Sequence, residues 1–257
     1  MAVRTYISGA TLLVAGVLIG VLVSPAVRGS AGWDQVGAQT ANLPGASASP
    51  GAKPTATATA VANPGATPAV DRTKPVVVGF GDSITYIPFS WFRQVCTAAV
   101  VLKNCQNSGI RGNTTTQMMA RIDKDVLAYK PSLVIMMGGT NDLRIGGRAT
   151  SIVRRLDLMV DQIRASGATV VLCTVPPRSK YEKQALALNA SIRAYAADTK
   201  LPLLDLYSSV GNRRGGYRKG LSIDGVHPTR HGEDLMTTEA LRQLPALLST
   251  GTTRLDP

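Results

Sequence analysis

The stretch VVVGFGDSITY, Val76 to Tyr86, decides how the chain is read. Val76, Val77, Val78 and Phe80 are residues of the buried, strand-forming kind, and Gly81-Asp82-Ser83 then breaks the run. Such a break is either an ordinary turn capped by Asp or Ser, or a turn that presents the serine hydroxyl at the end of a strand. The residues that follow the other apolar runs must choose between the two.

Those runs recur at regular intervals. NSGIRG (Asn107–Gly112) follows a short strand-like step, and SLVIMMGG (Ser132–Gly139), ATVVLCTV (Ala168–Val175) and LPLLDLY (Leu201–Tyr207) read as strands. Between them WFRQVCTAAV (Trp91–Val100), TTTQMMARIDKDVLAYK (Thr114–Lys130), TSIVRRLDLMVDQIRASG (Thr150–Gly167) and EKQALALNASIRAYAADT (Glu182–Thr199) read as helices. GEDLMTTEALRQLPALL (Gly232–Leu248) closes the chain as another helix. Continuous apolar strands separated by helices predict a mostly parallel sheet covered on both faces, a doubly wound three-layer α/β/α domain. In that architecture a ligand site lies beyond the carboxyl ends of the strands.

The bulk composition sets outer limits. A chain of 257 residues fits one domain with extra segments, and 44% hydrophobic residues supply a core that 5% aromatics leave to Ala, Val and Leu. The net charge of +12 favours anionic surfaces, but the basic residues are scattered without a Lys/Arg block, which argues against nucleic acid. Arg4 precedes an apolar segment from Tyr6 to Val23, so residues 1–30 read as a signal peptide or an N-terminal membrane anchor. Either one exports the remainder, to the outside or to the cell envelope. Residues 31–73 are rich in Ala, Pro, Thr and Gly and read as a disordered spacer, residues 74–250 as the folded domain, and 251–257 as a tail. Cys96 and Cys105 are close enough in sequence to pair as a disulfide in an oxidising compartment, or else are two core thiols. Cys173, inside an apolar run, reads as a buried thiol.

Four of the five strands are followed by polar residues that fall on the same sheet edge. Gly81-Asp82-Ser83 follows the first, Gly109–Asn113 the second, Gly139-Thr140-Asn141-Asp142 the third, and a loop with Asp224-Gly225-Val226-His227 the fifth. A serine nucleophile needs a base, and the base an orienting group. Only His227 and His231 are available, and Asp224 stands three residues before His227 in a loop that can fold back on the ring. The Ser83 and Gly112 N–H groups and the Asn141 amide are candidate donors to an oxyanion. Read instead as metal ligands, Asp224, His227 and His231 lack the Glu that the helical metalloprotease pattern needs, since Pro228 follows His227.

In GDSIT (Gly81–Thr85), IRGNTT (Ile110–Thr115), GTND (Gly139–Asp142) and DGVHPT (Asp224–Thr229) the chain resembles the SGNH hydrolases, also called GDSL esterases/lipases. The resemblance spans about Lys74 to Leu248. It implies a serine esterase with Ser83 as nucleophile, Asp224 and His227 completing the triad, and Ser83, Gly112 and Asn141 as the oxyanion hole. No metal or organic cofactor is implied. The same blocks serve esterases, thioesterases, deacetylases and acyltransferases, so the substrate stays open.

Arg111, Arg144, Arg148, Arg178, Lys180, Arg213, Arg214, Arg218 and Lys219 fall in the loops expected around these residues, and are either a basic rim suited to anionic polymers, acidic glycans or phospholipid surfaces or scattered solvated charges. Tyr86, Ile87, Pro88, Phe89 and Trp91 either line the pocket or pack the first helix on the sheet. Tyr86, Arg111, Arg144 and Arg218 are the candidate substrate contacts. The expectation is an exported, envelope-associated monomer that hydrolyses short-acyl or carbohydrate O-acetyl esters. Its rivals are a lipase, an extracellular O-acyltransferase acting on cell-wall glycan, and a degenerate wall-binding module.

Overall fold

The computed structural model of the chain describes residues 70–71, 73–99 and 102–250. The N-terminal apolar segment, nearly all of the spacer and the 251–257 tail lie outside the described residues. Among the described residues no helix is long and apolar enough to cross a membrane.

Five strands form one parallel sheet: β1 (Val77–Gly81), β2 (Cys105–Gly109), β3 (Leu133–Met136), β4 (Thr169–Cys173) and β5 (Leu203–Leu204), in the order β2-β1-β3-β4-β5. Val77 pairs with Cys105 on one side and Leu133 on the other, so the chain winds outward in both directions from β1. The reversal point lies between β1 and β3, where such sheets open a crevice for ligands. β1 and β3 are buried along their whole length, as a strand covered on both faces must be.

The helices are α1 (Ser83–Tyr86), α2 (Trp91–Ala98), α3 (Thr115–Met119), α4 (Ile122–Asp125), α5 (Thr140–Arg144), α6 (Ala149–Ala165), α7 (Glu182–Asp198), α8 (Tyr207–Val210) and α9 (Arg230–Thr250). α2 packs with α9, and α6 packs with α7 and α3. In α6 the buried residues Ile152, Leu156, Met159, Val160 and Ile163 recur at helical spacing, giving one apolar stripe against the sheet. Each such side chain contributes roughly 1.5–3 kcal/mol by leaving water.

Three expectations change in detail. The helix expected over Thr114–Lys130 is broken into α3, α4 and a 3₁₀ turn at Leu127–Tyr129. The break falls at Arg121, whose backbone leaves the helical region (φ −119°, ψ 8°) and whose guanidinium donates to the carbonyls of Gly81 and Ser108. The strand expected over Leu201–Tyr207 shrinks to Leu203–Leu204, because Asp205 N donates to Gln243 Oε1 of α9 instead of to the sheet. The described fold also begins before Lys74: Asp71 exchanges hydrogen bonds with the Asn104 side chain at 2.8 and 2.6 Å, and Val70 packs on the core.

Cys96 and Cys105 form a disulfide, with 6.2 Å between their Cα atoms, that ties α2 to the start of β2. Cys173 is free and buried, and burial pushes its thiol pKa far up, so it is an inert core residue.

Candidate active site

The nucleophile turn is built from Asp82. It is the N-cap of α1, its Oδ1 accepting the Ile84 N–H at 3.0 Å, which makes Ser83 the first residue of that helix. β2 closes tightly on this turn. A Cβ on Gly109 would stand 2.5 Å from Tyr86 N and 2.8 Å from Asp82 O, so only glycine lets the two strand ends converge.

The structure brings Ser83, His227 and Asp224 together across 144 residues of sequence. Ser83 Oγ lies 2.9 Å from His227 Nε2, and His227 Nδ1 lies 2.7 Å from Asp224 Oδ2. An ionised Asp224 only accepts, so the Nδ1 proton faces it and Nε2 is left to take the serine proton. The other oxygen, Asp224 Oδ1, accepts from Val226 N at 2.9 Å and His227 N at 2.8 Å. Partial burial pushes the Asp224 pKa up, but the His227 ring and these two amides outweigh it and hold the carboxyl well below the usual range. Ser222 Oγ donates to His227 O at 2.7 Å and accepts from Gly225 N, which completes a self-braced turn. His231 is exposed in the first turn of α9. Among the described residues no group of three His, Cys, Asp or Glu has the geometry to hold a metal.

The three oxyanion candidates come from three strand ends. Gly112 has φ +74° and open space where a Cβ would be, so backbone conformation, not crowding by the protein, requires glycine there. The Gly112 N–H makes no hydrogen bond among the described residues. Asn141, buried in α5, donates through Nδ2 to Asn113 O at 3.0 Å and to Asp82 Oδ2 at 3.2 Å. Burial pushes Asp82 up to about 6, against the Ile84 N–H and the His227 charge.

Two further side chains hold these loops in place, Arg121, which carries no signal in the sequence, and Asp142. Arg121 donates to Gly81 O at 2.8 Å, Ser108 O at 2.9 Å and Asn113 Oδ1 at 2.7 Å, pairs with Asp125 at 3.0 Å and lies over the Phe80 ring. It therefore fastens the ends of β1 and β2 to the loop that carries Gly112. Asp142, the last residue of GTND, accepts from Thr115 N at 2.8 Å and Thr115 Oγ1 at 2.6 Å and pairs with Arg155 at 3.0 Å. It anchors the start of α3 to α5.

The rim residues divide. Tyr86 is exposed with Arg111 over its ring at 5.1 Å, and Arg144 is exposed at the end of α5. Arg218 is exposed but donates to Ser209 O in α8. Trp91 is fully buried edge-on to Phe92, and Ile87 is buried too, so both belong to the core. Exposed Ile110, Ile145 and Ile223 stand on the loops that carry the site, Ile223 being 95% exposed beside Asp224.

Residues 80–235 match the GDSL-like lipase/acylhydrolase family. Esterase TesA of Pseudomonas aeruginosa is 28% identical over 123 residues, which cover 48% of this chain and 60% of the esterase. An acylhydrolase structure from Bacteroides fragilis aligns over 71% of this chain and 91% of its own length, with 28% identity and a TM-score of 0.59. A GDSL-like lipase structure from Bacteroides thetaiotaomicron covers 70% and 91%, with 26% identity and a TM-score of 0.58. With the family match spanning most of the described domain, the chain belongs to the GDSL-like lipase/acylhydrolase family.

Proposed function

We propose that this protein hydrolyses carboxylic esters through a Ser83–His227–Asp224 triad and an acyl-enzyme. The observation that carries this reading is the continuous contact from Ser83 Oγ to His227 Nε2, 2.9 Å, and from His227 Nδ1 to Asp224, 2.7 Å. The names of the related esterase and acylhydrolase agree with it.

Ser83 Oγ attacks the ester carbonyl carbon while its proton passes to His227 Nε2. Asp224 holds the ring and stabilises the imidazolium that results. The carbonyl oxygen becomes an oxyanion held by the Ser83 and Gly112 N–H groups and by Asn141 Nδ2, which would share the hydrogen now making its longer contact, 3.2 Å, with Asp82. Collapse breaks the C–O bond, and the alcohol leaves with the proton from Nε2. Water, deprotonated by the same nitrogen, then releases the acid and restores Ser83.

Short acyl groups and exposed esters on sugars fit a triad whose His227 and Asp224 side chains are 40% and 52% exposed. Action outside the cytoplasm is supported by the Cys96–Cys105 disulfide, which persists in oxidising compartments. The test is hydrolysis of p-nitrophenyl acetate by the wild type and Ser83→Ala. The substitution should lower kcat by at least about 10⁴-fold. Equal rates would remove Ser83 from the mechanism.

A further inference from the structure

Arg178 follows β4 in the segment TVPPRS, Thr174–Ser179, and is only 6% exposed. Its Nε and Nη1 are both buried and have no hydrogen-bond partner, and among the described residues no carboxylate comes within ion-pair distance of it. Removing a guanidinium from water without a partner is costly, so a charge held this way calls for an anion that the protein itself does not supply.

The surroundings sharpen the point. Arg178 lies over the Tyr181 ring at 5.9 Å, and Tyr181 Oη donates to Arg144 O at 3.3 Å, linking the loop after β4 to the end of α5. The adjacent Ser179 N donates to Gly225 O at 2.8 Å, which joins the same loop to the turn carrying Asp224 and His227. Burial first, and then the charge of Arg144, lower the pKa of Arg178, so two guanidinium groups stand within each other's field. The charges of Asp82 and Asp224 also reach Arg178. Both carboxylates are already committed, Asp82 to Ile84 N and Asn141 Nδ2, Asp224 to His227 and Val226 N. Neither one neutralises the arginine.

We propose that Arg178, assisted by Arg144, is a subsite for an anionic oxyacid group, a carboxylate, phosphate or sulfate, carried by the ester substrate. The proposal rests on the esterase reading and narrows it to esters whose acyl or alcohol part bears a negative charge near the scissile bond. Arg178 is then a binding and specificity residue. The guanidinium donates to the substrate's anion and places the ester carbonyl over Ser83.

The test compares kcat/KM of the full chain, Arg178→Gln and Arg178→Lys on two matched pairs of esters. One pair is p-nitrophenyl hemisuccinate against p-nitrophenyl butyrate, with the carboxylate on the acyl side. The other is acetoxybenzoate against phenyl acetate, with the carboxylate on the alcohol side. In Arg178→Gln the anionic-to-neutral ratio of one pair should fall at least about tenfold, with partial recovery in Arg178→Lys. The pair that responds identifies the side of the ester that carries the charge. Because each ratio is taken within one variant, a general loss of folded protein cancels. A ratio unchanged within about twofold in both pairs would overturn the proposal. If the wild type turns over none of the four esters, the esterase reading fails, and calorimetry with sodium sulfate then decides the anion site by itself. Sulfate heat present in the wild type and lost in Arg178→Gln supports the subsite, and equal heats overturn it.

Discussion

The two halves of the candidate site are constructed differently. The base half, Asp224 and His227, is a local turn: both residues are partly exposed, and three-residue spacing, two backbone amides and Ser222 fix their geometry. The nucleophile and oxyanion half is assembled by the sheet: Ser83, Gly112 and Asn141 come from the ends of β1, β2 and β3, and buried Asp82 together with Arg121 hold them in register. A turn of the first kind can lose a member without disturbing the fold. The second kind couples activity to stability, because the side chains that aim the donors also satisfy buried polar groups.

Two substitutions test that contrast in opposite directions. Asp224→Asn should lower kcat by about 10⁴-fold, because the ring loses the acceptor that sets its tautomer. Its melting temperature should fall by less than that of Asn141→Ala, because the side chain is half exposed and Asn Oδ1 can still accept from Val226 N and His227 N. Asn141→Ala should lower kcat less, by about 10²–10³-fold. It should nevertheless cost about 1–3 kcal/mol of stability, because Asp82 and Asn113 O lose their buried donor. Kinetics and thermal unfolding of both variants check the reversal, and a rank order that is the same for activity and stability would break the comparison.

A smaller effect separates buried from exposed carboxylates by the sign of their pH dependence. Glu233 in α9 is fully buried with Oε2 accepting the Trp91 N–H at 2.7 Å, and burial pushes it up to about 8 from 4.5. The folded state therefore holds this proton more tightly than the unfolded chain. Its contribution is full below pH 4.5 and is lost as pH rises towards 8. Asp82, pushed up to about 6, has the same sign, whereas the lowered Asp224 contributes above the usual carboxylate range and loses that contribution only as pH falls. Glu233→Gln keeps an acceptor for Trp91 N, so the fall in melting temperature across this window should flatten. An unchanged slope would remove Glu233 as its source.

How much could be read in the sequence follows the same division. The parallel α/β sheet was legible because buried strands such as Val77–Gly81 and Leu133–Met136 lie in continuous apolar runs. The Asp224–His227 pair was legible because its geometry is set within one turn. Arg121 was not, since its partners Gly81, Ser108 and Asn113 are distant in sequence and backbone carbonyls leave no pattern in side-chain types. The apparently continuous helix over 114–130 breaks at this same residue, where the backbone leaves the helical region. Arg178 was read as one of many rim charges, and only its burial without a hydrogen-bond or ion-pair partner distinguishes it from exposed Arg144 and Arg218.

The central claim is that Ser83 is an activated nucleophile, and covalent labelling tests it most directly. The folded protein is treated with a fluorophosphonate, and its peptides are read by mass spectrometry. A single adduct is expected, on Ser83, that disappears in Ser83→Ala. An unmodified Ser83 in folded protein, or an adduct on another residue that survives Ser83→Ala, would contradict it.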